Sequence, residues 1–299
     1  MSLSAGQIFL LFIFFLAASA QAMEENKPLW EYGAGIGYVR YAHYPASDQY
    51  SQLALPFPTF QYRGEILRAD DRDGGRAYLL KNDKWALEFS GGGSLPVDSS
   101  NNTARRDMNP LPLVLDAGPQ LVYSENRTWE FKISAFPSVS IDGTYWKQNG
   151  GVAKAQIGYR WEKEMNDWGS PVYLSGTFHL GGKTASQEYH ETYYEVSERF
   201  ATTTRPAYHA RAGYLETEYS YFQRFTSGRF TLYLSLDFSD YSGSANRLSP
   251  LYRATTSLAY AVGLTYVLGE SEKRSVPEEN TKGVINKVIK RASDRNQEP

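Results

Sequence analysis

Residues 230 to 241 read FTLYLSLDFSDY and alternate without a break. Phe230, Leu232, Leu234, Leu236 and Phe238 share one side, and Thr231, Tyr233, Ser235, Asp237 and Ser239 share the other. Period-two alternation of this length specifies a β-strand with one apolar and one polar face. The same pattern recurs in TWEFKISAF, VAKAQIGYRWE, PVYLSGTFHL and LAYAVGLTYVL. A chain built from such segments is all-β, and two architectures satisfy it. In a soluble sandwich the leucines face a core; in a membrane barrel they face lipid and the polar face lines a lumen.

Three features select the barrel. The polar face repeatedly carries charge, at Glu88, Asp116, Glu130, Lys132, Lys154, Arg160, Glu162 and Asp237. Lys or Arg facing lipid near the midplane costs about 2–4 kcal/mol, so these side chains are expected to point inward. Because both signs occur, a cross-linked lumen is expected rather than a wide pore. The 23 Tyr, 15 Phe and 6 Trp also fit a protein with two membrane–water boundaries, where a ring keeps one end apolar and one end wet. Finally, IFLLFIFFLAASAQA near the N-terminus has the apolar run and small-residue end of a secretory signal, with cleavage expected after Ala22. Its apolar part, Ile8 to Ala18, is too short to span as a helix. Mean hydropathy is −0.49, and beyond the signal no apolar run is long enough for a transmembrane helix. No Cys is present, which excludes disulfides and thiolate chemistry. The 31 basic and 33 acidic residues create no field that favours nucleic acid.

Strands are expected at about 30–41, 57–68, 85–93, 111–123, 128–141, 152–164, 171–183, 207–222, 229–241 and 254–268. This places the longer connections 42–55, 94–110, 142–151, 184–206 and 242–253 at one end, as the external loops of an outer-membrane barrel. The other end carries short turns, with 69–84 as the exception. AYLL at 77–80 is a further strand candidate within that exception. An up-and-down antiparallel barrel of about 10 strands is the first expectation. Twelve is the alternative, its last strand drawn from about 189–198. The domain reading is signal 1–22, barrel 23–269 and tail 270–299. The tail is charged, with Val284-Ile285 and Val288-Ile289 as its aliphatic pairs. It reads as mostly disordered, with a partner-docking helix near 281–292 as the minor reading.

Chemical motifs are sparse. Gly33, Gly35 and Gly37 in YGAGIGYV lack the strand–turn–helix context of a nucleotide loop and read as lumen glycines allowing close packing. His43, His179, His190 and His209 are the histidines. His179 shares the polar face with Ser175, and His190 sits between Glu188 and Glu191, but neither makes a recognised catalytic or metal spacing. ADDRDGGR (69–76) lacks the calcium-loop pattern and reads as a solvated turn. The expectation is a non-enzyme with no catalytic, metal or cofactor residue.

In order along the chain, WEYGAGIG, YPASD, PTFQYRG, YYEVS (193–197) with Tyr208 and Gly213, and DYSGSANRLSPL (240–251) resemble motifs of the MipA/OmpV family of outer-membrane proteins. The resemblance covers about 30 to 268. It departs from the family pattern at Ala46, Glu195, Ser244-Ala245 and the charged tail beyond Leu268. It implies a barrel in the outer-membrane lipid that scaffolds murein remodelling, bridging a murein lytic transglycosylase and a penicillin-binding protein. A narrow uptake channel or a surface adhesin are the alternatives.

Overall fold

The computed structural model describes residues 27–70, 74–125, 128–165, 171–275 and 283–285. The signal stretch and most of the tail, including Val288-Ile289, lie outside the described residues. Twelve antiparallel strands close into a barrel in which every strand neighbours its sequence neighbours and the last pairs with the first. They are β1 (Trp30–Ala42), β2 (Tyr50–Arg63), β3 (Leu67–Asp70), β4 (Gly74–Lys81), β5 (Trp85–Ser94) and β6 (Leu113–Glu125), followed by β7 (Trp129–Asp142), β8 (Tyr145–Met165), β9 (Val172–Ala185), β10 (Gly213–Ser227), β11 (Phe230–Asp240) and β12 (Thr256–Glu270).

The count is twelve rather than ten, and the extra pair does not come from 189–198. It is the hairpin β3–β4: the strand candidate AYLL (77–80) lies within β4, and its partner is β3, which begins at Leu67 where the preceding strand was expected to end. Two added strands keep the parity, so the connections that follow stay at the ends expected of them. The pair was only partly legible because β3 has 4 residues and β4 has 8, short of the roughly 9–11 that reveal alternation and span a membrane. Residues 187–194 form instead the helix α1 (Gln187–Tyr194). Ser186 caps it, its hydroxyl accepting from the Tyr189 amide at 3.4 Å, which satisfies one of the orphan donors at a helix start. The stretch 142–151 is not a loop either. β7 runs to Asp142 and β8 starts at Tyr145, with the turn at Gly143, whose φ of +58° suits glycine.

Alternation sorts the two faces as the sequence implied. Lipid-side residues Phe230, Leu232, Leu236 and Phe238 are exposed. Glu88, Asp116, Glu130, Lys132 and Arg160 are buried inside, while Lys154, Glu162 and Asp237 are half-buried there. On the outer surface near the short turns lies a ring of cross-strand aromatic pairs: Trp85–Tyr123 at 4.8 Å, Trp129–Tyr159 at 4.9 Å and Phe230–Tyr266 at 4.8 Å. Near the loops, Tyr38–Tyr260 and Tyr219–Phe238 mark the opposite boundary. Such girdles bracket the apolar belt of a membrane barrel.

The hydrophobic core is not at the barrel centre. It is a cap at the loop end, where Tyr44, Tyr189, Tyr193, Tyr194, Val196 and Leu251 pack together with Val114 and Leu215 of the strands. The cap is tied across long sequence distances. The Tyr44 hydroxyl donates to the Leu251 carbonyl at 2.9 Å, Ser249 Oγ donates to the Tyr194 carbonyl at 2.7 Å, and Tyr194 donates to the Pro45 carbonyl at 3.1 Å.

Candidate functional site

The interior divides into two unlike walls. Along β3 to β10 it is a lattice of opposite charges. Glu130 is the hub: it accepts Lys132 Nζ at 2.8 Å, Arg160 at 3.3 Å and His179 Nε2 at 2.6 Å. Lys154 pairs with Glu218 at 2.7 Å, and Lys183 with Glu216. Arg76 grips Asp70 with two bonds, at 2.8 and 3.2 Å, and reaches Glu88 at 3.9 Å. Buried charges hold their ionised forms only when paired and hydrogen-bonded, and this arrangement supplies both.

Along the middle of β12, β1 and β2 the interior carries no charge. Gly33, Gly35 and Gly37 face inward, as the sequence implied: a Cβ on Gly35 would lie 2.8 Å from both the Leu264 carbonyl oxygen and Thr265, and 3.0 Å from Phe57. The register continues this wall with Ala259, Ala261 and Gly263 of β12. Two cavities adjoin it. One, of about 660 Å³, opens at the turn end among Glu31, Arg63, Glu162, Arg224 and Glu270. The other, of about 630 Å³, lies beside Leu53, Leu55 and Phe57.

The histidines do not converge. His179 sits in the Glu130 hub, so its partner is a carboxylate among cations, while Ser175 lies four residues along the same face. His190 is fully buried in α1, its Nε2–H donating to the Gly213 carbonyl at 3.2 Å, and burial pushes its pKa down. Glu191 is taken by Gln187 at 3.0 Å. His43 Nδ1 accepts from the Asn102 side-chain amide at 3.0 Å, and its pKa too is lowered, first by burial. His209 is outside, against Glu195 at 2.9 Å. Among the described residues no three His, Asp or Glu side chains are grouped as metal ligands. Asp70 of the ADDRDGGR stretch is a buried partner of Arg76 rather than part of a solvated turn; 71–73 lie outside the described residues. Asp237 accepts from Ser235 Oγ at 2.9 Å.

Sequence reasoning missed the inward row Leu53, Leu55 and Phe57. The signal was there in LALPFPTF, which is apolar on both parities and broken by Pro56 and Pro58. A strand apolar on both sides faces lipid on one and something other than charge on the other.

A closed antiparallel barrel, wrapped in an apolar belt between aromatic girdles and filled with paired charges, is an outer-membrane β-barrel. The family described as MltA-interacting protein MipA matches residues 33–268, and the chain belongs to it. Among solved structures, a bacterial polysaccharide outer membrane secretin is similar with a TM-score of 0.34 at 9% identity, covering 80% of this chain and 99% of its own. A porin is similar with a TM-score of 0.26 at 9% identity, covering 81% and 100%. OccK2 of Pseudomonas aeruginosa, solved with glucuronate, has a TM-score of 0.22 at 10% identity, covering 71% and 65%. No curated protein matches the chain significantly.

Proposed function

We propose that this barrel is a non-enzymatic scaffold of the cell envelope, whose periplasmic turns dock murein-remodelling enzymes. The partners are a lytic transglycosylase and, bridged to it, a penicillin-binding protein. The chain reaches the outer membrane through a signal removed after Ala22. The observation that carries the reading is the paired interior centred on Glu130. Its charges are spent on one another, which favours a stiff platform over a conduit. Membership of a family named for interaction with MltA, a lytic transglycosylase, supplies the partner class.

The short-turn end is the docking face in this reading, and the charged tail 270–299 is its contact arm. Affinity purification from solubilised envelopes, with and without residues 276–299, tests both parts while leaving the seam at Ser271–Ser275 in place. A lytic transglycosylase enriched over an unrelated barrel supports the scaffold, and loss of that enrichment on truncation assigns the arm. Equal recovery with the control barrel removes the scaffold reading.

A further inference from the structure

The barrel closes strand to strand, but at one place not over its full height. β2 pairs with β3 only at Tyr62–Ala69 and Arg63–Arg68, while β4 pairs with β5 only from Ala77–Phe89 to Lys81–Ala86. The hairpin β3–β4 therefore fills the wall only near the turn end. Above it, Tyr50–Gln61 of β2 and Ser90–Ser94 of β5 each have a neighbour on one side, and among the described residues no ladder joins them. The opening lies in the apolar belt, because β2 residues Ala54 and Phe60 stand opposite Tyr38 of the loop-end girdle and Tyr32, which stacks on Trp30 toward the turn end.

Both edges are built for such an opening. The Arg63 amide donates to the Leu29 carbonyl on the β1 side, and the β1–β2 register runs without a bulge. The two-residue period then turns the backbone of Pro56 and Pro58 toward the free side. Proline lacks the N–H, so two donors that would hang unpaired in lipid are absent, as expected of a strand that stays an edge. The opposite edge holds Gly91, Gly92 and Gly93, and a Cβ on Gly92 would meet nothing within 4 Å.

The cavity of about 630 Å³ reaches this opening along its β2 edge, over the end of the hairpin at Ala69, Asp70, Gly74 and Gly75. Inward residues Phe57 and Thr59 line it, and so do the lipid-side residues Pro58 and Phe60. Inside, its apolar lining is Val39, Leu53, Leu55 and Phe57. Leu53 and Leu55 keep 43% and 39% of their surface exposed although their parity points them inward. Where it meets the turn-end cavity the two share Thr59, Gln61, Tyr233 and Thr265, which offer hydroxyl and amide groups.

We propose that the opening between β2 and β5 is a lateral portal through which a single-chain amphiphile enters from the membrane, its acyl chain against Leu53, Leu55 and Phe57 and its polar head at Thr59, Gln61 and Tyr233. The occupant follows from position: the medium outside the opening is acyl chains, and the nearest wall is apolar. The one charged side chain of the lining, Asp70 at the end of the hairpin, is already held by Arg76, and the hydroxyl and amide groups lie toward the turn-end cavity. The volume falls within the ~300–1,000 Å³ usual for a small-ligand pocket. A fatty acid and a lysophospholipid share this chemistry.

The test uses the purified mature barrel in detergent and cis-parinaric acid, a fluorescent fatty acid. The portal predicts saturable fluorescence, displaced by palmitate or by lysophosphatidylethanolamine, whichever is the better occupant. The double variant Leu53→Asn, Leu55→Asn should weaken the probe about tenfold or more. Leu264→Asn, on the lipid face of β12, should leave it unchanged and serves as the folding-matched control. Non-saturable fluorescence, or equal binding by the double variant and the control, overturns the proposal. Displacement by neither competitor overturns it as well.

Discussion

Glu130 shows how one side chain can decide whether a lumen holds together. It is 7% exposed and faces two cations and a histidine. Replacing it with Ala leaves Lys132 and Arg160 buried together without their shared carboxylate. Removing one partner of a buried pair typically costs about 3–5 kcal/mol. Glu130→Ala should lower the unfolding free energy in detergent by that order and so shift the urea midpoint down, read by tryptophan fluorescence or by loss of the folded band on unboiled gels. An unchanged midpoint would mean that water rather than Glu130 solvates those cations. Gly158 belongs to the same hub, for a Cβ there would sit 2.7 Å from both Glu130 and His179. Gly158→Val should therefore destabilise by about 1–3 kcal/mol through overpacking, measured in the same assay. The sequence made the inward direction of these charges legible, because parity alone sets it. It could not show that Lys132, Arg160 and His179 meet at one carboxylate, since that depends on the register between β7, β8 and β9.

At the scale of elements, the cap at the loop end is sensitive to acid. His43 and His190 both titrate below the ordinary 6.5, with burial as the main cause. As pH falls, the unfolded segments bind protons before the folded cap does. Stability from these groups is therefore present above about pH 6.5 and is lost on going lower. Geometry gives the same sign, because His43 Nδ1 accepts from Asn102 and cannot do so once protonated. Arg105, buried between Tyr44 and Asn109, is held down to about 10 and stays charged throughout. Amide exchange across 186–201, corrected for its intrinsic pH dependence, should lose protection between about pH 7.5 and 5. His190→Gln should flatten the change, and equal protection at both values would contradict the assignment. The long strands were legible because each spans the membrane and alternates throughout. The short hairpin β3–β4 was legible only in part: AYLL pointed to β4, but the 4 residues of β3 carry too few alternations to stand out from a turn. α1 was mistaken for a possible strand because its Tyr-rich sequence offers no clear period, and its identity rests on the Ser186 cap and on packing.

For the whole molecule, two expectations follow from export and from the cap. N-terminal sequencing of the mature protein should begin at Met23, and a retained signal would refute the cleavage after Ala22. With the loop end packed by Tyr44, Tyr193, Tyr194 and Leu251, planar-bilayer recordings should show no steady conductance. Regular open steps would make the narrow-channel reading the stronger one. The resemblance read from ordered motifs extended over about 30 to 268, and the family match covers 33–268. It was legible because it is spread through strands and loops alike rather than lodged in one signature.

The seam that closes the barrel continues past the membrane. The Leu29 amide donates to the Lys273 carbonyl at 2.8 Å, the Ser275 amide donates to the Lys27 carbonyl at 2.9 Å, and Pro28 bridges Arg274. The chain thus arrives at Lys27 and departs at Ser275 side by side. Anything fused or bound near either point is held at an effective concentration, relative to the other, of the millimolar order that short tethers give. Two weak contacts made there would act as one strong one, so a reporter split between the two positions should reassemble on this barrel without any partner to bring its halves together.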